Sequence, residues 1–238
     1  MGKLSIVSTP IGNLEDVTIR AIKTLFSVDI ILCEDTRRTG ILLQELQSRL
    51  AIMFRYMIAK PQLMSYYDEI EDKRIPEVID ALTQGRNIAL ISDAGTPLIS
   101  DPGFRIVREC LKRGITVESI PGPSAFLAAL TSSGLPADNF CFLGYPPEKS
   151  ARRIKLFGNL LSIHRCIDST YIFYCAPHKV VQTLEDLKTV FGDIEVVLAR
   201  ELTKIHEETW RGTITTAMTT FGSPKGEFVL LFRAVSSK

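Results

Sequence analysis

Short apolar, β-branched runs alternate along the chain with longer stretches whose apolar residues recur every three or four positions. The runs Leu4 to Ser8, Asp29 to Cys33, Asn87 to Ser92, Thr116 to Ile120, Tyr171 to Cys175, Glu195 to Ala199 and Glu227 to Phe232 read as buried strands. Leu14 to Phe26, Arg74 to Gln84, Gly103 to Arg113 and His178 to Val190 have the spacing of amphipathic helices. Strand and helix in alternation predict right-handed βαβ units and mostly parallel sheets. Gly114 stops a helix and Pro121-Gly122-Pro123 follows a strand, so we expect two α/β domains, residues 1–115 and 116–238. The stretch from Thr203 to Phe232, rich in threonine and aromatic residues, is expected to be partly antiparallel.

Composition narrows the class. A chain of 238 residues that is 45% hydrophobic can bury a sizeable core. Its 28 Lys plus Arg balance 27 Asp plus Glu, so no global field draws it to a polyanion, and any nucleic-acid binding must come from local patches. No apolar run is long enough for a membrane span. The five cysteines are scattered and odd in number, which fits a reducing cytoplasm. His164, His178 and His206 are too far apart for a local metal motif, so no metal is expected.

Chemistry concentrates in Ser92 to Gly103, SDAGTPLISDPG, directly after a strand. In open α/β sheets ligands collect at the carboxyl ends of strands. Gly95 and Gly103 permit close approach to the main chain, Pro97 and Pro102 stiffen it, and Asp93 and Asp101 supply negative charge. Such a loop suits a cationic, adenosine-bearing ligand. A pyrophosphate would call for G-x-x-x-x-G-K-[ST] or G-x-G-x-x-G, and the chain has neither. Asp101 also reads as the cap of the helix that follows.

These residues resemble a known family. SDAGTPLISDPG, with VSTPIGNLEDVT at Val7 to Thr18, CEDTRRTGILL at Cys33 to Leu43, IPGPSA at Ile120 to Ala125 and RELTKIHEE at Arg200 to Glu208, is similar to the ribosomal RNA small-subunit methyltransferase I family of the tetrapyrrole methylase superfamily. The blocks span nearly the whole chain in order.

The resemblance implies two α/β domains of the tetrapyrrole methylase type with S-adenosylmethionine in a cleft between them. It also implies a homodimer, and 2′-O-methylation of a cytidine in the decoding region of small-subunit rRNA, free or in the 30S subunit. Cofactor contacts carried over by motif are Pro10, Asp93, Gly95, Pro97, Ile99 and Ser100, with Ser124, Ala125, Tyr174, Ala176, Leu202 and Phe228 from the second half. The substrate side falls on Thr9 to Leu14 and on Glu34, Asp35, Thr36 and Arg37. The chain departs from the family in extra residues between Gln44 and Ser65, in the missing histidine of the segment that follows, and in Cys175 and Lys179, where the family has an acid and an arginine.

Methyl transfer from a sulfonium is an in-line displacement, which positioning largely accomplishes. A ribose hydroxyl needs a base within hydrogen-bond reach, and Asp35 and Glu34, at the end of a strand, are the first candidates. Lys204 is the second. Glu34 to Arg37 also reads as a helix N-terminus, with Asp35 or Thr36 as its cap. For RNA phosphates, Lys149, Arg152 and Arg153 share a helical spacing, and Arg37 and Arg38 form a second group; such runs are also common as solvated helix faces. Trp210 reads as a packing residue. The competing functions are another methyltransferase of the superfamily, acting on a tetrapyrrole or modified amino acid, and a non-catalytic RNA-binding ribosome-assembly factor.

Overall fold

The computed structural model describes residues 1–50, 60–164 and 166–234. Within the extra segment between Gln44 and Ser65, positions 51–59 lie outside the described residues. The chain divides into two compact units, Met1–Ser124 and Ala125–Lys238.

The first unit is built on five strands: β1 (Lys3–Val7), β2 (Ile30–Cys33), β3 (Gln62–Ser65), β4 (Ile88–Leu90) and β5 (Thr116–Ile120). They pair in parallel in the order β3-β2-β4-β1-β5. The division expected at residue 115 therefore moves to Ser124, because β5 is zipped along β1 from Lys3↔Thr116 to Val7↔Ile120. Gly114 does end α4 (Phe104–Lys112), in a left-handed conformation at φ +68°.

Helices cover both faces of this sheet. Ala21, Ile22 and Leu25 of α1 (Ile19–Leu25) and Leu46 of α2 (Thr36–Leu50) pack with Val7, Ile31, Ala89 and Ile91. Val78, Ile79 and Leu82 of α3 (Glu71–Thr83) and Ile106 and Cys110 of α4 pack with Leu4, Ile6, Leu32 and Leu90 on the other side. The helix expected from Leu14 to Phe26 splits in two, since two caps compete for it. Asn13 accepts from Glu15 N–H over a short 3-10 turn, and Thr18 Oγ1 accepts from Ala21 N–H at 3.1 Å to start α1.

The second unit holds α5 (Ala125–Ser133), β6 (Phe140–Phe142), α6 (Ser150–His164), β7 (Thr170–Cys175), α7 (Val180–Phe191), β8 (Glu195–Arg200), β9 (Glu208–Thr213), α8 (Ile214–Thr220) and β10 (Phe228–Arg233). Its sheet runs β6-β7-β10-β8-β9, with β6 parallel to β7 and the other pairs antiparallel. The mostly parallel arrangement expected holds in the first sheet, and the antiparallel texture expected after Thr203 extends across most of the second. Phe157 of α6, Leu184 and Leu187 of α7 and Ile214 of α8 pack against Tyr171, Phe173, Leu198 and Phe232. Trp210 stands edge-on to Phe221 at 5.7 Å, the packing role expected of it.

One expected RNA contact is part of this core. Arg153 is 1% exposed; its Nε donates to Asp186 Oδ2 at 2.7 Å and its Nη1 to the carbonyls of Pro147 and Glu148. Helical spacing alone does not separate it from its neighbours, but Arg153 faces α7 while Lys149 and Arg152 face solvent. Arg153→Ala strands a buried carboxylate and should cost about 3–5 kcal/mol, against less than about 0.5 for Arg152→Ala. Urea unfolding followed by Trp210 fluorescence checks this, and equal effects of the two substitutions would contradict it.

Candidate active site

β1 and β4 are neighbours, yet the helix after β1 covers one face of the sheet and the helix after β4 covers the other. Their loops meet at the carboxyl edge, the usual ligand position in an open α/β sheet. The loop Ser92 to Gly103 stands there and is heavily braced. Thr9 and Gly95 exchange backbone hydrogen bonds, at 2.8 Å from Thr9 N–H and 3.1 Å from Gly95 N–H. Thr9 Oγ1 donates to Ser92 O at 3.3 Å, Ser8 Oγ lies 3.0 Å from Thr96 Oγ1, and Thr96 Oγ1 donates to Pro123 O. The three segments that end β1, β4 and β5 are thus tied together.

Local backbone shape follows from that bracing. Gly95 sits at φ +85°, and a Cβ there would come within 3.3 Å of Ile11. Gly122 is needed for a different reason: a Cβ would fall 2.9 Å from Ser8 Cβ. Leu98 and Ser100 hold left-handed conformations at φ +71° and +65°, which non-glycine residues adopt only where surroundings impose them. Among the expected contacts here, Pro97 and Gly95 are buried, Pro10 is half-buried, and Asp93, Ile99 and Ser100 are exposed.

The edge is acidic. Glu34, at the end of β2, accepts a hydrogen bond from Asp93 N–H at 3.3 Å. Burial pushes its carboxyl above the ordinary glutamate range, and the charges of Asp93 and Asp68 add to this. Asp35 differs, because its Oδ1 accepts from the N–H groups of Arg37 and Arg38 at 2.7 and 3.3 Å, and these bonds hold its carboxyl below the usual range. It is the cap of α2. Arg38 pairs with Asp93 at 2.8 Å, and Arg37 is exposed.

Asp101 corrects the expectation that it caps α4, since Gly103 holds the cap position at φ +127° with no side-chain cap bond. Burial, opposed by a hydrogen bond with Ser92 and reinforced by Glu34, Asp93 and Asp68, instead pushes its carboxyl up to about 6. Sequence reading placed Asp101 in the loop but had no signal for its titration, which depends first on burial and then on carboxylates that include Glu34 and Asp68, far away along the chain.

In the second unit, Ala125 begins α5 just after Ser124, the last residue of the first. Tyr174 and Ala176 are half-buried at the end of β7, and Leu202 is 8% exposed beyond β8. The ring of Phe228 is 2% exposed and stands edge-on to Phe221 at 5.5 Å, so its side chain serves the core and only its backbone is left for a ligand. Lys204 is bound to Glu227 at 2.9 Å and Glu201 at 3.1 Å. Burial works against its charge, but these carboxylates outweigh that and hold the ammonium above its ordinary range. These bonds favour the charged ammonium over the neutral amine that a base needs.

A braced loop at the acidic carboxyl edge of a parallel sheet stands at the usual ligand position of α/β folds. The family model for tetrapyrrole (corrin/porphyrin) methylases matches residues 3–217. The ribosomal RNA small subunit methyltransferase I of Thermotoga maritima is 45% identical over 97% of this chain and 98% of its own length. That of a Synechocystis strain is 47% identical over 97% of this chain and 78% of its own length. A uroporphyrin-III C-methyl transferase from Thermus thermophilus, solved with S-adenyl homocysteine, shares the fold at TM-score 0.61 and 14% identity, covering 97% of each chain. The chain belongs to the ribosomal RNA small subunit methyltransferase I family of tetrapyrrole methylases.

Asp101 gives this edge a pH signature. With a folded pKa of about 6 against about 3.9 unfolded, the folded chain holds the extra proton, so this group's contribution to stability falls as pH rises from about 4 to about 6. Asp101→Asn should raise Tm by calorimetry at pH 7.5 and raise it less at pH 5; an equal gain at both would contradict the assignment.

Proposed function

We propose that this chain transfers the methyl group of S-adenosylmethionine to the ribose 2′-hydroxyl of a cytidine in the decoding region of small-subunit rRNA, as a cytoplasmic homodimer. The observation that carries the reading is the braced loop Ser92 to Gly103, in a chain whose relatives named for this rRNA match it over nearly its whole length. The residues suit that cofactor: Asp93, Glu34 and Asp101 offer negative charge to a cationic ligand. Bound there, S-adenosylmethionine supplies an electrophilic methyl carbon, and no metal is needed.

What remains for the protein is to place the hydroxyl and accept its proton. Glu34 suits this better than Asp35, because a carboxylate raised toward neutrality is the stronger base and Asp35 is spent on capping. Lys149, Arg152 and Arg37 are exposed cations for phosphate contacts. Neutral amides discriminate the two acids, since asparagine caps a helix as well as aspartate. Glu34→Gln should lower kcat by about 10²- to 10⁴-fold, while Asp35→Asn should leave turnover near wild type. The reverse ranking in a single-turnover methylation assay would overturn the assignment.

The function is tested by incubating the chain with methyl-labelled S-adenosylmethionine and unmethylated small subunits or free 16S rRNA, then mapping the label. A 2′-O-methylated cytidine supports the proposal. Label on a base, on an added porphyrinoid, or nowhere would refute it.

A further inference from the structure

β6 and β7 run parallel, so both end at one edge of the second sheet, and the loop after β6 is pinned there. Leu143 N–H donates to Ile172 O at 3.0 Å and Tyr174 N–H donates to Gly144 O at 2.9 Å, which carries the pairing past the end of β6. Gly144 then turns the chain at φ +63°. Beyond the turn, Pro146 and Pro147 fix their own φ, and the buried Arg153 donates from Nη1 to the carbonyls of Pro147 and Glu148 at 2.9 and 3.1 Å. Tyr145 is thus held from both sides, yet it is 62% exposed.

Its ring ends a run of aromatic contacts. Measured between ring centres, Tyr145 lies 5.6 Å from Tyr174, Tyr174 lies 4.8 Å from Phe142, and Phe142 lies 4.5 Å from Phe126 of α5. The three inner rings are half-buried, so the sheet and α5 fix what stands behind Tyr145. An exposed ring already held in place can bind a partner at little cost in conformational entropy.

Charge at the same edge points to the kind of partner. Lys149 and Arg152 are exposed at the start of α6, and Lys179 follows the end of β7. The one acid between Gly144 and Lys155 is Glu148, and Arg153, in the same run, is already paired with Asp186. A folded protein presenting an apolar face would leave these cations unmatched. An RNA duplex, with its bases stacked inside, would leave the ring unused. Unpaired RNA uses both, since its bases stack on aromatic rings while its phosphates take lysine and arginine.

We propose that the end of the β6–β7 pair is a platform for single-stranded RNA, on which Tyr145 stacks against an unpaired base while Lys149 and Arg152 take neighbouring phosphates. The inference rests on the RNA-directed reading above and adds a means of telling a single strand from a helix. Every residue it uses belongs to the second unit.

Fluorescence anisotropy with a fluorescein-labelled, unstructured oligoribonucleotide of about 12 nucleotides, and with an RNA duplex of the same length, tests the platform. Wild type should bind the single strand at low salt. Tyr145→Leu keeps an apolar side chain against Tyr174 but has no π face; it should weaken single-strand binding roughly tenfold and leave its salt slope and the duplex affinity unchanged. Tyr145→Trp should stay within about threefold of wild type. Replacing Lys149 and Arg152 together by alanine should lower the salt slope of single-strand binding by about 1.4. Unchanged single-strand affinity in Tyr145→Leu, an equal loss on the duplex, a salt slope unmoved by the double substitution, or a wild-type chain that does not bind the single strand overturns the platform. If Tyr145→Leu keeps its RNA affinity but loses self-association in sedimentation, the ring serves a second copy of the chain and the platform is equally overturned. Label mapped to rRNA together with a neutral Tyr145→Leu overturns the platform alone, whereas single-strand binding that depends on Tyr145 without any label on rRNA supports the platform and overturns the methylation reading.

Discussion

Two backbone hydrogen bonds between Thr9 and Gly95 fix how the first unit presents its ligand edge. Without them the loop after β1 and the loop after β4 would diverge with their helices toward opposite faces of the sheet. With them, and with Thr96 Oγ1 reaching Pro123 O, the ends of three strands move as one body. The left-handed residues Leu98 and Ser100 then cost nothing further at the moment a ligand arrives, because their strain is met during folding by the contacts around them. On the proposed cofactor reading, a loop prepared in this way would bind by complementarity and not by ordering.

Electrostatics follow from the same edge. Bringing β2 beside β4 places Glu34 next to Asp93, and burial does the rest, raising Glu34 and Asp101 while Asp35, one residue further along, is drawn down by the amides of α2. Adjacent carboxylates in the chain thus acquire opposite character from their surroundings. In the second unit charge has a different use: Arg153 and Asp186 join two helices, and Lys204 joins a turn to a strand end. Each of these cations is thus held by carboxylates of a neighbouring element.

Much of the fold was legible because buried strands of a parallel sheet are continuous apolar runs. The three strands that pattern reading passed over, β3, β6 and β9, are all sheet edges. One side of each lacks a neighbour, so QLMS, FCF and ETWRGT carry no long apolar run. The site was legible as loops and not as charges. SDAGTPLISDPG could be placed from its glycines and prolines, but Arg153 and Lys204 could be placed only once α7 and the start of β10 supplied Asp186 and Glu227. A helical spacing gives neighbours on one face without saying whether that face is wet. The glutamate three positions before Lys204 was the one local hint, a spacing that favours an ion pair.

The central claim is that the ligand loop is prepared before any ligand binds, and hydrogen exchange at the Thr9 and Gly95 amides tests it most directly. These two amides should exchange as slowly as those of β1 in the free protein, and adding S-adenosylhomocysteine should slow them little beyond what global stabilisation gives. Fast exchange in the free protein, with protection appearing only on ligand addition, would contradict the account.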